Sequence, residues 1–140
     1  VNVEAPLFTL TDVNGANFSL GSFKGRVIVL DFFATWCGPC KTQMPHLSQL
    51  CEKYNISQVV VISISVDPNS DTVEKLKQFA LDNGMTWIVA RDTTGVTKNY
   101  GVTAIPTLFI IDRNGIIRYA HVGVTSASTL LSEIDSLLKQ

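Results

Sequence analysis

The chain has 140 residues, of which 46% are hydrophobic and 16% are charged, and its formal net charge is −1. This length and composition predict one globular domain, residues 1–140, with a substantial core. A nearly neutral chain without a run of like charges predicts no nucleic-acid-binding surface. No apolar stretch approaches the roughly 18–20 residues that span a bilayer.

The first 33 residues predict three strands. "FTLTD" (8–12) and "VNGANFSL" (13–20) are typical of a strand pair with Asn14-Gly15 as the turn signal. "RVIVLDFF" (26–33) is a nearly continuous apolar run. Such a run predicts a strand that is covered on both faces.

Helices and strands alternate after residue 33. The helix at 69–84 is expected to have Asp71 or Ser70 as its N-cap and Gly84 at its C-terminal stop. A hairpin is expected to turn at Asn114-Gly115. The other predicted elements are a helix at about 39–54, strands at 58–66 and 86–90, a short helix at 94–100, strands at 107–112 and 116–122, and a helix at 127–139. This order predicts an α/β fold, with a mixed central sheet flanked by helices on both faces.

Two cysteines, Cys37 and Cys40, lie in "ATWCGPCKTQMP" (34–45), where a strand is expected to pass into a helix. The N-terminus of a helix favours an anion, so its position should lower the pKa of Cys37 and activate its thiolate. Pro39 suits the first helical turn, and Cys40 returns to the same side of the helix as Cys37. We therefore expect a reactive dithiol in which Cys37 is exposed and attacks, and Cys40 is shielded and resolves the mixed disulfide.

Two other interpretations of the cysteine pair are weaker. A structural zinc site normally needs two such pairs or two histidines at finger-like spacing, and only Cys51, His46 and His121 remain as candidates. A structural disulfide across two residues constrains little of the unfolded chain. We expect no metal and no cofactor other than the redox-active Cys37–Cys40 disulfide, and we interpret Cys51 as a buried packing thiol.

"WCGPC" at 36–40 is identical to the active-site motif of thioredoxins, and the chain resembles that family over most of its length from residue 26. The resemblance includes Pro45, which matches a helix-kinking proline, and "AIPT" (104–107), which matches the loop with the cis-proline of the family. It implies a thioredoxin-like fold and thiol-disulfide exchange.

Asp31 lies in the middle of the buried run "VIVLDFF". A buried carboxylate is costly, so the pKa of Asp31 should be raised. The alternative is a residue at a strand edge whose side chain is turned to water. Thioredoxins carry an aspartate at this offset before the motif, and the resemblance implies that Asp31 takes the proton of Cys40 as a general base.

The resemblance also implies a substrate surface around the dithiol. The Ile105-Pro106 bond is expected to be cis, and the backbone of Ile105 is expected to pair with an extended substrate segment. Trp36, Gly38 and Pro39 are assigned to the same surface, although a tryptophan in a core is the alternative for Trp36. Gly123 is expected to line the groove.

The N-terminal strand pair and the inserted segment, with its helix at 70–83 and "TWIVARD", make the chain similar to the TlpA/ResA-like branch. These thiol-disulfide oxidoreductases are often tethered outside the cytoplasmic membrane, and they keep exported cysteine pairs reduced, including those of apocytochromes c. The resemblance implies protein disulfide substrates and an upstream thiol reductant. A start at Val1 instead of Met favours an extracytoplasmic location after removal of an N-terminal signal or anchor, although trimming explains it equally well. We expect a monomer that contacts the membrane only through such an anchor.

Two departures limit this comparison. Some members that mature cytochromes carry an acid after the central strand, where this chain has "VDPN" with Asp67. They often have Asn where this chain has Asp31. A general disulfide reductase is therefore as plausible as a cytochrome-specific one. A peroxiredoxin-type peroxidase needs Thr and Pro where Ala34 and Leu30 stand. A non-catalytic binding domain usually lacks one or both cysteines.

Overall fold

A computed structural model describes residues 1–140. It contains eight strands, four α-helices and one short 3-10 helix, Leu20–Phe23. None of the helices is long and apolar enough to cross a membrane. In chain order the strands and α-helices are β1 (Val3–Glu4), β2 (Thr9–Thr11), β3 (Asn17–Ser19), β4 (Val27–Phe33), α1 (Gly38–Lys53), β5 (Val59–Ser65), α2 (Val73–Asp82), β6 (Ile88–Arg91), α3 (Val96–Asn99), β7 (Thr107–Ile111), β8 (Ile116–Val122) and α4 (Ala127–Leu138).

Six strands form one mixed sheet in the order β1-β8-β7-β4-β5-β6. Strands β4, β5 and β6 are parallel, whereas β7 runs antiparallel to β4, and β8 antiparallel to β7. All seven residues of β4 and all seven of β5 are buried. Their continuous apolar runs are explained by this central position, because both faces of the sheet are covered. The predicted mixed sheet with helices on both faces is confirmed.

Alternate residues of each strand supply two separate cores. Val29 and Phe33 of β4 pack with buried side chains of α1, α2 and α4. Leu30 and Phe32 point to the other face, where they pack with the N-terminal hairpin and with Val96 of α3. The dithiol helix α1 therefore lies on the same side of the sheet as α4.

The N-terminal segment closes both edges of the sheet. The β2–β3 hairpin turns at Asn14-Gly15, where Gly15 has a positive φ of 86°, and the N–H of Val13 donates to the carbonyl of Val89 in β6 at 2.9 Å. At the opposite edge β1 pairs with β8, with Val3 opposite Ile117. The two-residue strand β1 is too short to show a periodicity, so the sequence did not predict it.

Helix α2 begins later than predicted. Its N-cap is Thr72, whose hydroxyl oxygen accepts from the backbone N–H of Lys75 at 3.2 Å, so the expectation of Asp71 or Ser70 as the cap is wrong. The carboxylate of Asp71 is instead turned into the protein, where it accepts hydrogen bonds from Thr35. The helix stops before Gly84, which has a φ of 65°, as predicted.

Candidate active site

Cys37 and Cys40 form a disulfide at the junction of β4 and α1. Cys37 is the N-cap of α1, and its Sγ accepts from the backbone N–H of Cys40 at 3.2 Å. Pro39 lies in the first helical turn, where its missing N–H costs nothing. Only 6% of Cys37 and none of Cys40 is exposed. The expected shielding of Cys40 is confirmed, whereas the expected exposure of Cys37 is wrong for this disulfide form, in which its sulfur turns inward to Cys40.

The loop before β7 faces the dithiol. The Ile105-Pro106 peptide bond is cis, as expected, and the carbonyl oxygen of Ile105 lies 3.9 Å from the Sγ of Cys37. The N–H of Gly123 donates to the carbonyl of Pro106 at 2.8 Å, which attaches the end of β8 to this loop. The structure thus places the carbonyl of Ile105 beside Cys37 and links Gly123 to Pro106.

Trp36 is 60% exposed and stands beside Cys37, so the core alternative for this tryptophan is wrong. Its indole N–H donates to Asp67 at 2.9 Å. This hydrogen bond, together with those from Ser70, holds the pKa of Asp67 below its usual value. A shallow cavity of about 200 Å³ opens beside Trp36; its lining residues are Trp36, Val66, Thr97, Val102, Thr103, Ala104 and Ile105.

Asp31 is fully buried in β4, so the strand-edge alternative is wrong. Burial raises the pKa of Asp31 to about 7, although a hydrogen bond from Ser63 opposes the rise. The Ser63 hydroxyl donates to Oδ2 at 2.7 Å, and Oδ1 has no partner. The carboxyl is therefore able to hold or release a proton near neutral pH, as a general base at this position requires.

The sequence did not reveal the network that holds the β4–α1 loop. The buried carboxylate of Asp71 accepts from the backbone N–H of Thr35 at 3.1 Å, from the hydroxyl of Thr35 at 2.5 Å and from the hydroxyl of Ser65 at 2.6 Å. Thr35 directly precedes Trp36 and Cys37, so these bonds position the turn that carries the nucleophile. The sequence predicts a helix cap at Asp71 instead, because nothing local marks its pairing with Thr35, 36 residues earlier.

A second unrecognised contact joins α1 to the β8–α4 loop. The buried Gln43 amide donates to the carbonyl of Thr125 at 2.9 Å and accepts from the N–H of Thr125 at 2.7 Å. One turn further along α1, the Nδ1 of His46 accepts from the N–H of Ala127 at 3.0 Å. Gln43 and His46 therefore fix the loop after Gly123 against the helix that carries Cys40.

The remaining candidate residues lie away from the dithiol. Cys51, predicted to be buried, is a half-buried free thiol whose pKa is raised by burial. Cys51 lies near the end of α1, where it lines a cavity together with Trp87 and Ile88. The Nε2 of His121 lies 2.8 Å from a carboxylate oxygen of Glu133 in α4.

Comparison with known proteins decides the family. A model of the AhpC/TSA family matches residues 1–120. The chain belongs to the AhpC/TSA family. It is 31% identical over 138 residues to the thiol-disulfide oxidoreductase ResA of Geobacillus thermodenitrificans, covering 98% of this chain and 78% of that protein. It is 37% identical over 116 residues to ResA of Bacillus thuringiensis subsp. konkukian, covering 82% of this chain but only 65% of that protein.

Solved structures of thiol-disulfide proteins share this fold. A thiol:disulfide interchange protein of the thioredoxin family from Chlorobium tepidum superposes with a TM-score of 0.87 at 28% identity, covering 99% of this chain and 97% of that one. A thiol-disulfide isomerase from Corynebacterium glutamicum superposes with a TM-score of 0.84 at 29% identity and 97% coverage of both chains. The fold is thioredoxin-like, and this AhpC/TSA family member is a thiol-disulfide oxidoreductase that acts on protein disulfides.

Proposed function

We propose that the protein is a single-domain, monomeric disulfide reductase in which Cys37 attacks the substrate and Cys40 resolves the intermediate. The observation that carries this proposal is the placement of Cys37 as the N-cap of α1, with its Sγ 3.9 Å from the carbonyl of Ile105. The helix N-terminus stabilises a thiolate there. The Ile105 backbone supplies an acceptor for an extended substrate segment.

The reaction exchanges two electrons through two sulfur–sulfur bonds. The Cys37 thiolate attacks one sulfur of the substrate disulfide, a mixed disulfide forms, and the other substrate sulfur leaves as a thiolate. Asp31 takes the proton of the Cys40 thiol, and the Cys40 thiolate attacks the Sγ of Cys37. The second substrate sulfur then leaves, the substrate is a dithiol, and the enzyme holds the Cys37–Cys40 disulfide. An upstream dithiol re-reduces the enzyme by the reverse exchange.

The substrate is held by the surface around the dithiol. Exposed Trp36 forms one wall, and the cis Ile105-Pro106 loop forms the other. Gly38 and Pro39 lie at the start of α1 directly after Cys37, and the N–H of Gly123 bonds to the carbonyl of Pro106. A backbone acceptor combined with apolar walls suits many extended peptides, so we assign a broad range of protein disulfides, with apocytochromes c as one class among them.

The first experiment measures insulin reduction with dithiothreitol as the electron source. The wild type and Cys51→Ser are expected to reduce insulin at equal rates, whereas Cys37→Ser should fall to the uncatalysed rate. Cys40→Ser should accumulate a mixed disulfide with its substrate. Equal activity in the wild type and Cys37→Ser would overturn the proposal, and hydrogen peroxide turnover as fast as insulin turnover would favour a peroxidase instead.

The direction of electron flow and the location are tested separately. The Gly-Pro dipeptide between the cysteines resembles reducing members, so equilibration with glutathione should give a potential below about −220 mV. A potential near −120 mV would indicate an oxidant instead. We assign the protein to the outer side of the cytoplasmic membrane. Labelling of Cys37 in intact cells by a membrane-impermeant maleimide supports this location, and labelling only after lysis contradicts it.

A further inference from the structure

The buried carboxyl of Asp31 ends a short chain of hydrogen bonds that begins at Trp87. The Trp87 indole N–H donates to the Oγ of Ser63 at 2.8 Å, and the Ser63 hydroxyl donates to the Oδ2 of Asp31 at 2.7 Å. The other carboxyl oxygen, Oδ1, is buried without a partner. Ser63 is fully buried in β5, directly opposite Asp31 in β4.

The chemistry of the three groups fixes the direction of these bonds. An indole N–H donates and cannot accept, so the Ser63 oxygen must accept from Trp87. A serine hydroxyl has one hydrogen, and the carboxyl of Asp31 is the acceptor within its reach. Oδ2 of Asp31 is therefore occupied as an acceptor. When the carboxyl is protonated, its proton is left on Oδ1.

The dithiol lies on the same side of the sheet as the Asp31 side chain. Asp31 points to the same face of β4 as Val29 and Phe33, because residues two apart on a strand share a face. Val29 and Phe33 belong to the same core cluster as Cys40, under α1. The strand neighbours of Asp31 are Ser63 in β5 and Leu108 in β7, and neither is titratable. The buried side chains that α2 and α4 present to this core are apolar.

Other ionisable groups of this core have partners of their own. Asp71 accepts from Thr35 and Ser65, and Tyr54, at the far end of α1, donates to Asp135 of α4. Gln43 of α1 is polar but not titratable, and both of its amide groups bond to the backbone of the β8–α4 loop. The free thiol of Cys51 also packs against this core, but it lies near the C-terminal end of α1. Cys37 and Cys40, at the turn that follows β4, are the remaining titratable groups of the core.

We propose that Ser63 and Trp87 are positioning residues that keep the exchangeable proton of Asp31 on Oδ1, the oxygen left free for exchange with the Cys40 thiol. In the resolving step the Cys40 S–H proton moves to Oδ1, and the resulting thiolate attacks the Sγ of Cys37. The substrate sulfur leaves as a thiolate and receives a proton from the solvent. This inference rests on the proposed role of Asp31 as the base, and it gives the inserted segment that contains Trp87 a part in the reaction.

The first test measures the pKa of Asp31 in the oxidised protein by NMR of carboxyl-labelled aspartate. Removal of the Ser63 hydroxyl in Ser63→Ala deprives the carboxylate of its donor, so the midpoint should rise by about one pH unit above the wild-type value. Trp87→Phe keeps the ring but frees the Ser63 hydroxyl to turn away, and a smaller rise is expected. Trp36→Phe, the same change at the other tryptophan, should leave the midpoint unchanged.

The second test separates the two chemical steps of the reduced protein. Release of a bound substrate from the Cys37 mixed disulfide should need a pH about one unit higher in Ser63→Ala than in the wild type. The pH profile for alkylation of Cys37, which reports the first step, should not move. In Asp31→Asn the further change Ser63→Ala should have no effect on the profile of release.

The outcomes distinguish this inference from the proposed function. A wild type that reduces insulin, combined with an unmoved Asp31 midpoint in Ser63→Ala, overturns the positioning role and leaves the reductase intact. If Ser63→Ala shifts the pH profile of substrate release equally in the wild-type background and in Asp31→Asn, the positioning role is overturned as well. A wild type that fails to reduce insulin overturns the proposed function. The effect of Ser63→Ala on the Asp31 midpoint is measured by NMR in either case, so it tests the positioning role separately.

Discussion

Replacement of Asp31 by Asn is expected to stabilise the oxidised protein, and to do so more strongly as the pH rises. Burial raises the pKa of Asp31 from 3.8 to about 7, so the folded chain holds this proton over a range in which the unfolded chain has released it. Below pH 3.8 the carboxyl is protonated in both states, and stability does not change with pH through this group. Above that pH the free energy of unfolding falls until the folded carboxyl also ionises.

The magnitude follows from the two pKa values. Each pKa unit corresponds to about 1.4 kcal/mol, so a pKa raised from 3.8 to about 7 costs roughly 4 kcal/mol above pH 8. At pH 5 the cost is about 1.5–2 kcal/mol, since only the first part of the range has been crossed. Asn has no proton to lose and can still accept from Ser63. Its advantage over Asp31 should therefore grow by about 2–3 kcal/mol between pH 5 and pH 8.

Urea denaturation of the oxidised proteins at pH 5 and pH 8 measures this difference. Asp82→Asn is the matched control, because Asp82 is exposed at the end of α2 and the same chemical change there should give equal differences at both pH values. An advantage of Asp31→Asn that is the same at both pH values would refute the raised pKa. In insulin reduction, Asp31→Asn is expected to be slower than the wild type despite its greater stability.

Three further substitutions test the contacts around the dithiol. Asp71→Ala leaves the N–H and hydroxyl of Thr35 without their acceptor, so urea denaturation should show a loss of about 2–4 kcal/mol in the free energy of unfolding. Insulin reduction should also be slower, and unchanged turnover would contradict the role of Asp71 in positioning the turn. Gln43→Ala removes both hydrogen-bond partners of the Thr125 backbone and should lower the free energy of unfolding by about 2–3 kcal/mol in the same urea assay. A loss below about 0.5 kcal/mol would mean that water replaces the amide. Cys51→Ser should leave the reduction potential unchanged, and a shifted potential would show that this thiol takes part in exchange.

The central part of the fold was predictable because burial leaves a direct mark on the sequence. Strands β4 and β5 are apolar along their whole length, since both faces of the sheet are covered. Within β4, Asp31 stood out for the same reason: an acid in such a run needs an explanation, and the structure buries it completely. The cis bond before Pro106 was expected only from the resemblance to thioredoxins.

The contacts that hold the site were not predictable from local pattern. Asp71 has good helix-capping chemistry, and its true partner Thr35 lies 36 residues earlier. Gln43 pairs with Thr125, 82 residues further along the chain, and nothing in the amphipathic pattern of α1 marks that pairing. Such hydrogen bonds depend on tertiary proximity, which periodicity and propensity do not encode.

The closure of both sheet edges by the first twenty residues sets an order for folding. Val3 pairs with Ile117, and Val13 bonds to Val89, so each contact joins residues that are far apart in the chain. Pairings so far apart in sequence form slowly, because a long loop must close first. Until these pairings form, β8 and β6 both offer open edges to other chains, so protection from strand-to-strand aggregation depends on the slowest contacts of the fold.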